Sequence, residues 1–218
     1  MKNRRALREQ ITLLLREGDF AGLVDLAGRE SGVAAQLLLF LYDPGSLLHW
    51  RALEGLGQVA GSHPQQVQKL IGRLLYLLNE DSGSYGWGAA AALGEIGRHQ
   101  ISLIAEIIPM FHGFLEEDFS RAPMLWGLGR LGEVHPELLQ EILPLVPFFL
   151  KDADPQVRGL SAWCLGKGRH QQAAAKLETL LADDSPMQIY DQGELHLATV
   201  GRVAQAALAA LETGEASR

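Results

Sequence analysis

Apolar residues along this chain cluster at helical spacing, and each cluster ends in a leucine that an aspartate follows closely. The five leucines lie 37, 37, 35 and 31 residues apart. A second marker, a Leu-Gly pair, recurs after 37, 35 and 37 residues. Two independent markers with one period indicate a repeated structural unit. The first markers are Leu41 with Asp43, Leu78 with Asp81, Leu115 with Asp118, Leu150 with Asp152 and Leu181 with Asp183, and the Leu-Gly glycines are Gly57, Gly94, Gly129 and Gly166.

Each interval has room for a helix, a tight turn and a second helix. The first helix is rich in large apolar residues, as in 70–78 and 142–150, and the second carries small residues on its packing side. Because one helix pair cannot bury its own apolar face, successive pairs must stack. The sequence therefore predicts an all-α fold, an α-α superhelix of about five helix pairs over residues 31–212.

The two ends depart from this pattern. Residues 1–30 predict an N-terminal helical cap, and residues 213–218 a frayed tail. Residues 187–199 alternate in polarity like two short strands around Asp191-Gln-Gly193, which predicts a β-hairpin inserted between the helices of the last repeat. Thr199 is then expected to cap the final helix.

One segment carries a family resemblance. The run Asp-Ala-Asp-Pro-Gln-Val-Arg at 152–158, continuing to Gly166, resembles the turn and second helix of HEAT repeats of the bilin-lyase-like (PBS lyase) type. Other units match more loosely, because His49 and Gly86 stand where the arginine is expected, while Arg121 keeps it. The resemblance implies a HEAT-repeat solenoid over most of the chain. It implies little about function, since such repeats serve many roles.

Composition narrows the functional classes. The 218 residues carry a net charge of −7, which gives little electrostatic reason to approach nucleic acid or an anionic membrane. No apolar stretch is long enough to cross a bilayer. The single cysteine, Cys164, excludes a disulfide within the chain and a zinc site built on cysteines. We expect a cytoplasmic protein.

Two motifs could indicate a nucleotide site or a metal site, but neither lies in the structural context that such a site requires. Residues 127–132 match G-x-G-x-x-G, but they lie inside a predicted helix with no strand before them. Histidines recur every 35–36 residues, at His63, His99, His135 and His170, yet helices about 8–10 Å apart cannot bring them to one metal. We expect no catalytic residue, no metal and no cofactor.

The four tryptophans form the most suggestive pattern. Trp50 and Trp87 lie seven residues before a Leu-Gly glycine, and Trp126 and Trp163 lie three before one. These positions are four residues apart and share one helix face. In the repeats that the chain resembles, that face is the concave side of the solenoid, so the indoles are expected to form an aromatic ladder there.

Two interpretations of this pattern stay open. Exposed aromatic residues on a concave face are typical binding anchors, whereas tryptophans at helical spacing also serve as core between units. The glycine-rich turn 82–88 is similarly either a place of close ligand approach or a loose turn. On the first interpretation, the partner-binding residues are Trp50, Arg51, Tyr85, Trp87, Arg121, Trp126, Arg158 and Trp163.

Three functions follow from these patterns. The first is a non-catalytic scaffold that binds a protein or peptide on the concave face. The second is a DNA-binding or HEAT-like DNA glycosylase-type protein, although the acidic charge and the lack of a basic stripe disfavour nucleic acid. The third is a bilin-lyase-like maturation factor or chaperone, which the repeat subtype alone suggests.

Overall fold

The computed structural model describes residues 2–79 and 88–215, with side chains over 4–79 and 88–213. The described chain is mainly helical, with one two-stranded antiparallel hairpin, so the predicted all-α solenoid class with a small hairpin is confirmed. The α-helices are α1 (Lys2–Glu17), α2 (Phe20–Arg29), α3 (Val33–Leu37), α4 (Leu47–Ser62), α5 (Pro64–Asn79), α6 (Ala89–His99), α7 (Phe111–Glu116), α8 (Asp118–Gly132), α9 (Pro155–Lys167), α10 (Ala174–Glu178) and α11 (Val200–Glu215).

The remaining elements are short. The two strands are β1 (Pro186–Asp191) and β2 (Glu194–Thr199). Turns of 3-10 helix span Leu38–Phe40, Ile101–Leu103, Ala105–Met110, Pro136–Leu139, Leu143–Lys151 and Gln171–Ala173.

The chain divides into two compact units. Unit 1 comprises Met1–Glu106 with Gln192–Glu194, and unit 2 comprises Ile107–Asp191 with Leu195–Arg218. Inside unit 1, α4 packs against α2 and α6. Inside unit 2, α8 packs against α9, and α9 packs against α11. The second helices of successive repeats are therefore direct neighbours within each unit, as stacking of repeats requires.

Helix starts follow the capping residues of the sequence. The Asp154 carboxylate accepts a hydrogen bond from the Gln156 amide at 2.9 Å, and Pro155 occupies the first position of α9. The hydroxyl of Thr199 accepts a hydrogen bond from the Arg202 amide at 3.3 Å, so the predicted cap of α11 is confirmed. These local contacts fix where the second helices begin.

The first-helix layer of unit 2 differs from the prediction. A regular helix was expected over 142–150, but Leu143–Lys151 is a 3-10 helix. Pro144 and Pro147 lie in this segment, and proline has no amide hydrogen for the i→i−4 ladder. The tighter 3-10 geometry keeps the segment helical, and its apolar residues still pack against α9.

The predicted hairpin near the C-terminus is confirmed. Its turn residues Gln192 and Gly193 have φ of 51° and 82°, the left-handed values that a two-residue turn between antiparallel strands favours. Over residues 2–79 and 88–215, none of the helices combines the length and apolarity needed to cross a bilayer.

Candidate functional site

Three of the four tryptophans of the predicted ladder lie among the residues that the structure describes, and all three are buried. The exposed fractions of Trp50, Trp126 and Trp163 are 9%, 0% and 8%. Of the two interpretations, that of solvent-exposed indoles is wrong for these three, because polypeptide of the same chain covers them, as the alternative of packed tryptophans requires. Trp87 and Tyr85 lie outside the described residues, as does the glycine-rich turn up to residue 87. The partner-binding role of the eight residues stays a prediction.

In unit 1, Trp50 and Arg51 are tied to the backbone. The Trp50 indole donates a hydrogen bond to the Pro44 carbonyl at 2.8 Å, across the turn that precedes α4. Arg51 is 8% exposed, and its guanidinium donates to the carbonyls of Leu15 and Arg16, at 3.1 and 2.7 Å. These carbonyls end α1, where a cation is favoured by the helix dipole.

Arg51 has further partners within unit 1. Its Nε donates to the Gly193 carbonyl at 3.0 Å, and its Nη2 donates to the Glu194 carboxylate at 2.7 Å. With four acceptors around it, this guanidinium is held in one position. It is a structural cation of unit 1 rather than an exposed binding group.

In unit 2, side chains of α8 and α9 form a paired aromatic and cationic surface, which we call the second-helix face. The Trp126 and Trp163 rings lie 6.4 Å apart between centroids with an interplanar angle of 5°. Arg130 stands over the Trp126 ring at 5.4 Å, and Lys167 over the Trp163 ring at 5.3 Å. The residues of this face are Trp126, Arg130, Gln156, Gly159, Trp163 and Lys167.

Strand β1 lies on this face. The Trp126 indole Nε1 donates a hydrogen bond to the Tyr190 carbonyl at 2.9 Å, and the Tyr190 ring packs on the Trp126 ring at 6.2 Å. Met187 sits against Gly159, where a Cβ atom would overlap its sulfur. Trp126 and Gly159 of this face therefore contact extended polypeptide, which the hairpin of the same chain supplies.

The charges on the face converge on one carboxylate of the strand. Asp191 lies 3.8 Å from the Arg130 guanidinium and 3.6 Å from the Lys167 ammonium. Glu133 of unit 2 also pairs with Lys167. Two cations and two carboxylates thus neutralise one another beside the indoles, which fixes the acidic end of β1.

Arg121 and Arg158 link successive repeats of unit 2. The Arg158 guanidinium donates to the Asp183 carboxylate at 2.9 Å, and Arg121 lies 3.6 Å from Asp152. Each arginine also donates to carbonyls at the end of the helix before it, such as Asp152 O at 2.8 Å from Arg158. The Arg158 hydrogen bond holds the pKa of Asp183 below its ordinary value. Both arginines bind the chain itself, so the structure gives them a role in stacking.

Two further candidates for chemistry are the single cysteine, Cys164, and clusters of metal-binding side chains. Burial raises the pKa of the Cys164 thiol to about 12, which removes it as a nucleophile near neutral pH. Across the described ranges, no group of three or more His, Cys, Asp or Glu side chains could hold a metal ion.

Sequence reasoning missed half of the second-helix face and its occupant. Gln156, Arg130 and Lys167 were not singled out, and neither was Asp191. One signal was available, because Arg130 and Lys167 each follow a tryptophan by four residues and are 37 residues apart. No signal within the helices indicates that β1 would dock on them.

Comparisons with known proteins agree with this architecture. The HEAT-like repeat family matches residues 119–167, the segment from α8 to α9. An uncharacterized protein of Archaeoglobus fulgidus is 30% identical over 101 residues, which are 46% of this chain and 54% of that protein. The match therefore spans about half the length of this relative.

Two engineered proteins with crystal structures share the fold. One has a TM-score of 0.52 and 16% identity, and the match covers 96% of this chain and 97% of that protein. The other has a TM-score of 0.50 and 16% identity, with 94% and 58% covered. At this identity the likeness concerns the fold alone.

Proposed function

We propose that this HEAT-repeat protein is a non-catalytic scaffold that binds a partner protein through the second-helix face of unit 2. One observation carries the proposal: this face already holds a stretch of extended polypeptide, strand β1. Tryptophan and arginine, which this face carries, are among the residues that most often dominate the binding energy of protein interfaces. In this proposal the protein acts in the cytoplasm and needs no cofactor.

The contacts of β1 support binding rather than catalysis. Trp126 donates a hydrogen bond to a backbone carbonyl of β1, and Gly159 leaves room for an apolar side chain. Two cations of the face lie beside the carboxylate of Asp191. Each of these interactions recognises a group that a polypeptide presents: a backbone carbonyl, an apolar side chain or a carboxylate. None of them places a nucleophile or a general base beside a bond that could be cleaved.

The alternative functions find less support in the contacts. Arg51, Arg121 and Arg158 already donate to carbonyl and carboxylate oxygens, so phosphate binding would have to break these bonds. Nucleic-acid binding leaves a basic footprint, and the chain carries a charge of −7. The bilin-lyase-like subtype of the repeat, and a role in chromophore maturation, stay proposals that the resemblance alone motivates.

The test is affinity capture with the full chain, compared across two matched variants. Gln156→Ala/Lys167→Gln changes the second-helix face, and Gln205→Ala/Lys69→Gln changes exposed residues of α11 and α5. We expect a saturable partner that the first variant retains less well and the second retains as the parent does. Purified partner would then be titrated against all three chains. Equal retention by both variants, or no saturable partner, would contradict the proposal.

A further inference from the structure

We propose that the second-helix face of unit 2 is a binding site for an extended peptide of another protein, and that β1 is its internal stand-in ligand. The expected peptide presents an apolar residue, any residue, an apolar residue, an aromatic residue and an acidic residue in succession. This inference rests on the proposed function and specifies the chemistry of the partner.

Recognition of the main chain comes first. The Gln156 side-chain amide donates to the Gln188 carbonyl at 2.7 Å and accepts from the Gln188 amide at 3.0 Å. This pair of bonds is what a neighbouring strand would make, and it is independent of the side chain at position 188. Trp126 binds the carbonyl of Tyr190, two residues further along the same edge. Helices α8 and α9 therefore both form hydrogen bonds with main-chain atoms along one edge of β1.

Recognition of side chains follows the burial pattern of the strand, in which Met187, Ile189 and Tyr190 are buried. Met187 is 3% exposed and fills the space that Gly159 leaves, while Gln188 points to solvent. Ile189 and Tyr190 are buried, and the Tyr190 ring contacts the Trp126 ring. A ligand thus needs apolar residues at the first and third positions and an aromatic residue at the fourth. Any residue can occupy the second position, because its side chain points to solvent.

The acidic end gives direction to the site. Asp191 lies between Arg130 and Lys167, at 3.8 and 3.6 Å. A peptide in the reverse orientation would leave these two cations without its carboxylate. Charge complementarity therefore makes the site selective for a peptide with an acidic residue directly after the aromatic one.

Strand β1 belongs to a small element, which favours its displacement. A two-stranded hairpin has marginal stability by itself, so the position of β1 depends on the second-helix face and on the hydrogen bonds from Arg51 to Gly193 and Glu194. Because β1 is part of the same chain, its effective concentration at the second-helix face is on the order of millimolar. A free peptide has to compete with this concentration. Weakening β1 while keeping the face intact should therefore reveal binding of a peptide in trans.

The experiment uses the full chain and a fluorescent peptide with the sequence of residues 185–192. The variant Met187→Ser/Tyr190→Ser weakens β1 and leaves the residues of the second-helix face unchanged. We expect this variant to bind the peptide at least about tenfold more tightly than the parent, since the tethered competitor is weakened. A scrambled peptide of the same composition should not bind.

Matched third substitutions test the main-chain contact. Adding Gln156→Ala should weaken peptide binding about tenfold, because two hydrogen bonds are lost. Adding Gln205→Ala, an exposed glutamine of α11, should leave binding unchanged. Equal binding of the scrambled peptide, or equal effects of the two glutamine substitutions, would overturn the inference.

A second measurement keeps the test valid if the variant does not fold. Hydrogen exchange of the parent with excess peptide should speed up at the amides of β1 and β2, while α9 keeps its protection. Added protection at Leu195 and Leu197 without faster exchange in β1 would mean that the peptide joins the edge of β2, and would overturn the inference. A captured protein that does not compete with the peptide would also overturn it while the proposed function stands.

Discussion

The indole rings of Trp126 and Trp163 lie parallel, with 6.4 Å between centroids and 5° between planes. The two residues are 37 residues apart and hold the same position in successive repeats. Gly129 makes the approach of the helices possible, because a Cβ atom there would overlap the Trp163 ring. The period of the sequence therefore brings the two rings together in a stack, and Tyr190 of β1 packs on the Trp126 ring.

Close helix packing predicts opposite effects for two glycine substitutions. A Cβ atom at Gly166 would lie 2.7 Å from the Cα of Ala207 in α11, so Gly166→Ala must push two helices apart. We expect it to lower the free energy of unfolding by about 1–3 kcal/mol. Gly72 in α5 has nothing within 4 Å of that position, so Gly72→Ala should raise stability by about 0.5–1 kcal/mol. Urea denaturation midpoints measure both, and shifts of the same sign would contradict this account.

The ion pair between repeats predicts that lysine cannot replace Arg158. Its guanidinium reaches the Asp183 carboxylate and the carbonyls of Asp152 and Ala153 together, at 2.9, 2.8 and 3.0 Å. A lysine ammonium has no planar fork to span these acceptors. Arg158→Lys should lower the free energy of unfolding by about 1–3 kcal/mol, measured by urea denaturation. Arg5→Lys alters a solvent-exposed pair with Glu9 and should change stability little.

The same pair predicts a difference at acidic pH. Because Arg158 holds the pKa of Asp183 below 3.8, the stabilisation that Asp183 provides is complete above that value. It is lost as the pH falls through the lowered pKa of the folded state. The Arg158→Lys variant should therefore lose less stability than the parent on acidification below pH 3.8. Identical losses in the two chains would show that Asp183 is not held in this way.

The repeat and its caps were predictable because they depend on local spacing. The Leu-Gly period, the cap at Asp154 and the hairpin around Gly193 each follow from residues close together in sequence. The burial of Trp126 was not predictable in this way, since its cover comes from Tyr190, 64 residues later. The aspartate markers were recognised, but their pairing with the arginine of the preceding repeat is a tertiary contact.

The reactivity of the single cysteine gives a direct check on packing. Burial raises the pKa of Cys164 to about 12, so at pH 8 the thiolate is on the order of 1 in 10,000 of the thiol. We expect Ellman's reagent to modify the native chain only as fast as it unfolds, and to modify one thiol promptly in denaturant. Adding urea below the unfolding midpoint should accelerate the native reaction. A fast reaction without urea would mean that α9 does not bury this thiol.

A buried histidine predicts how stability depends on pH near neutrality. Burial lowers the pKa of His49 in α4 from 6.5 to about 4, while the Asp43 charge acts in the opposite direction. The unfolded chain therefore binds a proton between these values that the folded chain does not. The resulting stabilisation is complete above pH 6.5 and is lost as the pH falls towards 4, by up to about 3 kcal/mol.

The measurement of this effect compares the parent with His49→Gln, which cannot take up the proton. Urea denaturation at several values between about pH 7.5 and 4.5 gives the slope of stability against pH for each chain. The slope should be steeper in the parent. Burial also lowers the pKa of His170, but that residue and the carboxylates are present in both chains, so the difference in slope isolates His49. Parallel slopes would mean that the imidazole of His49 titrates as it does in the unfolded chain.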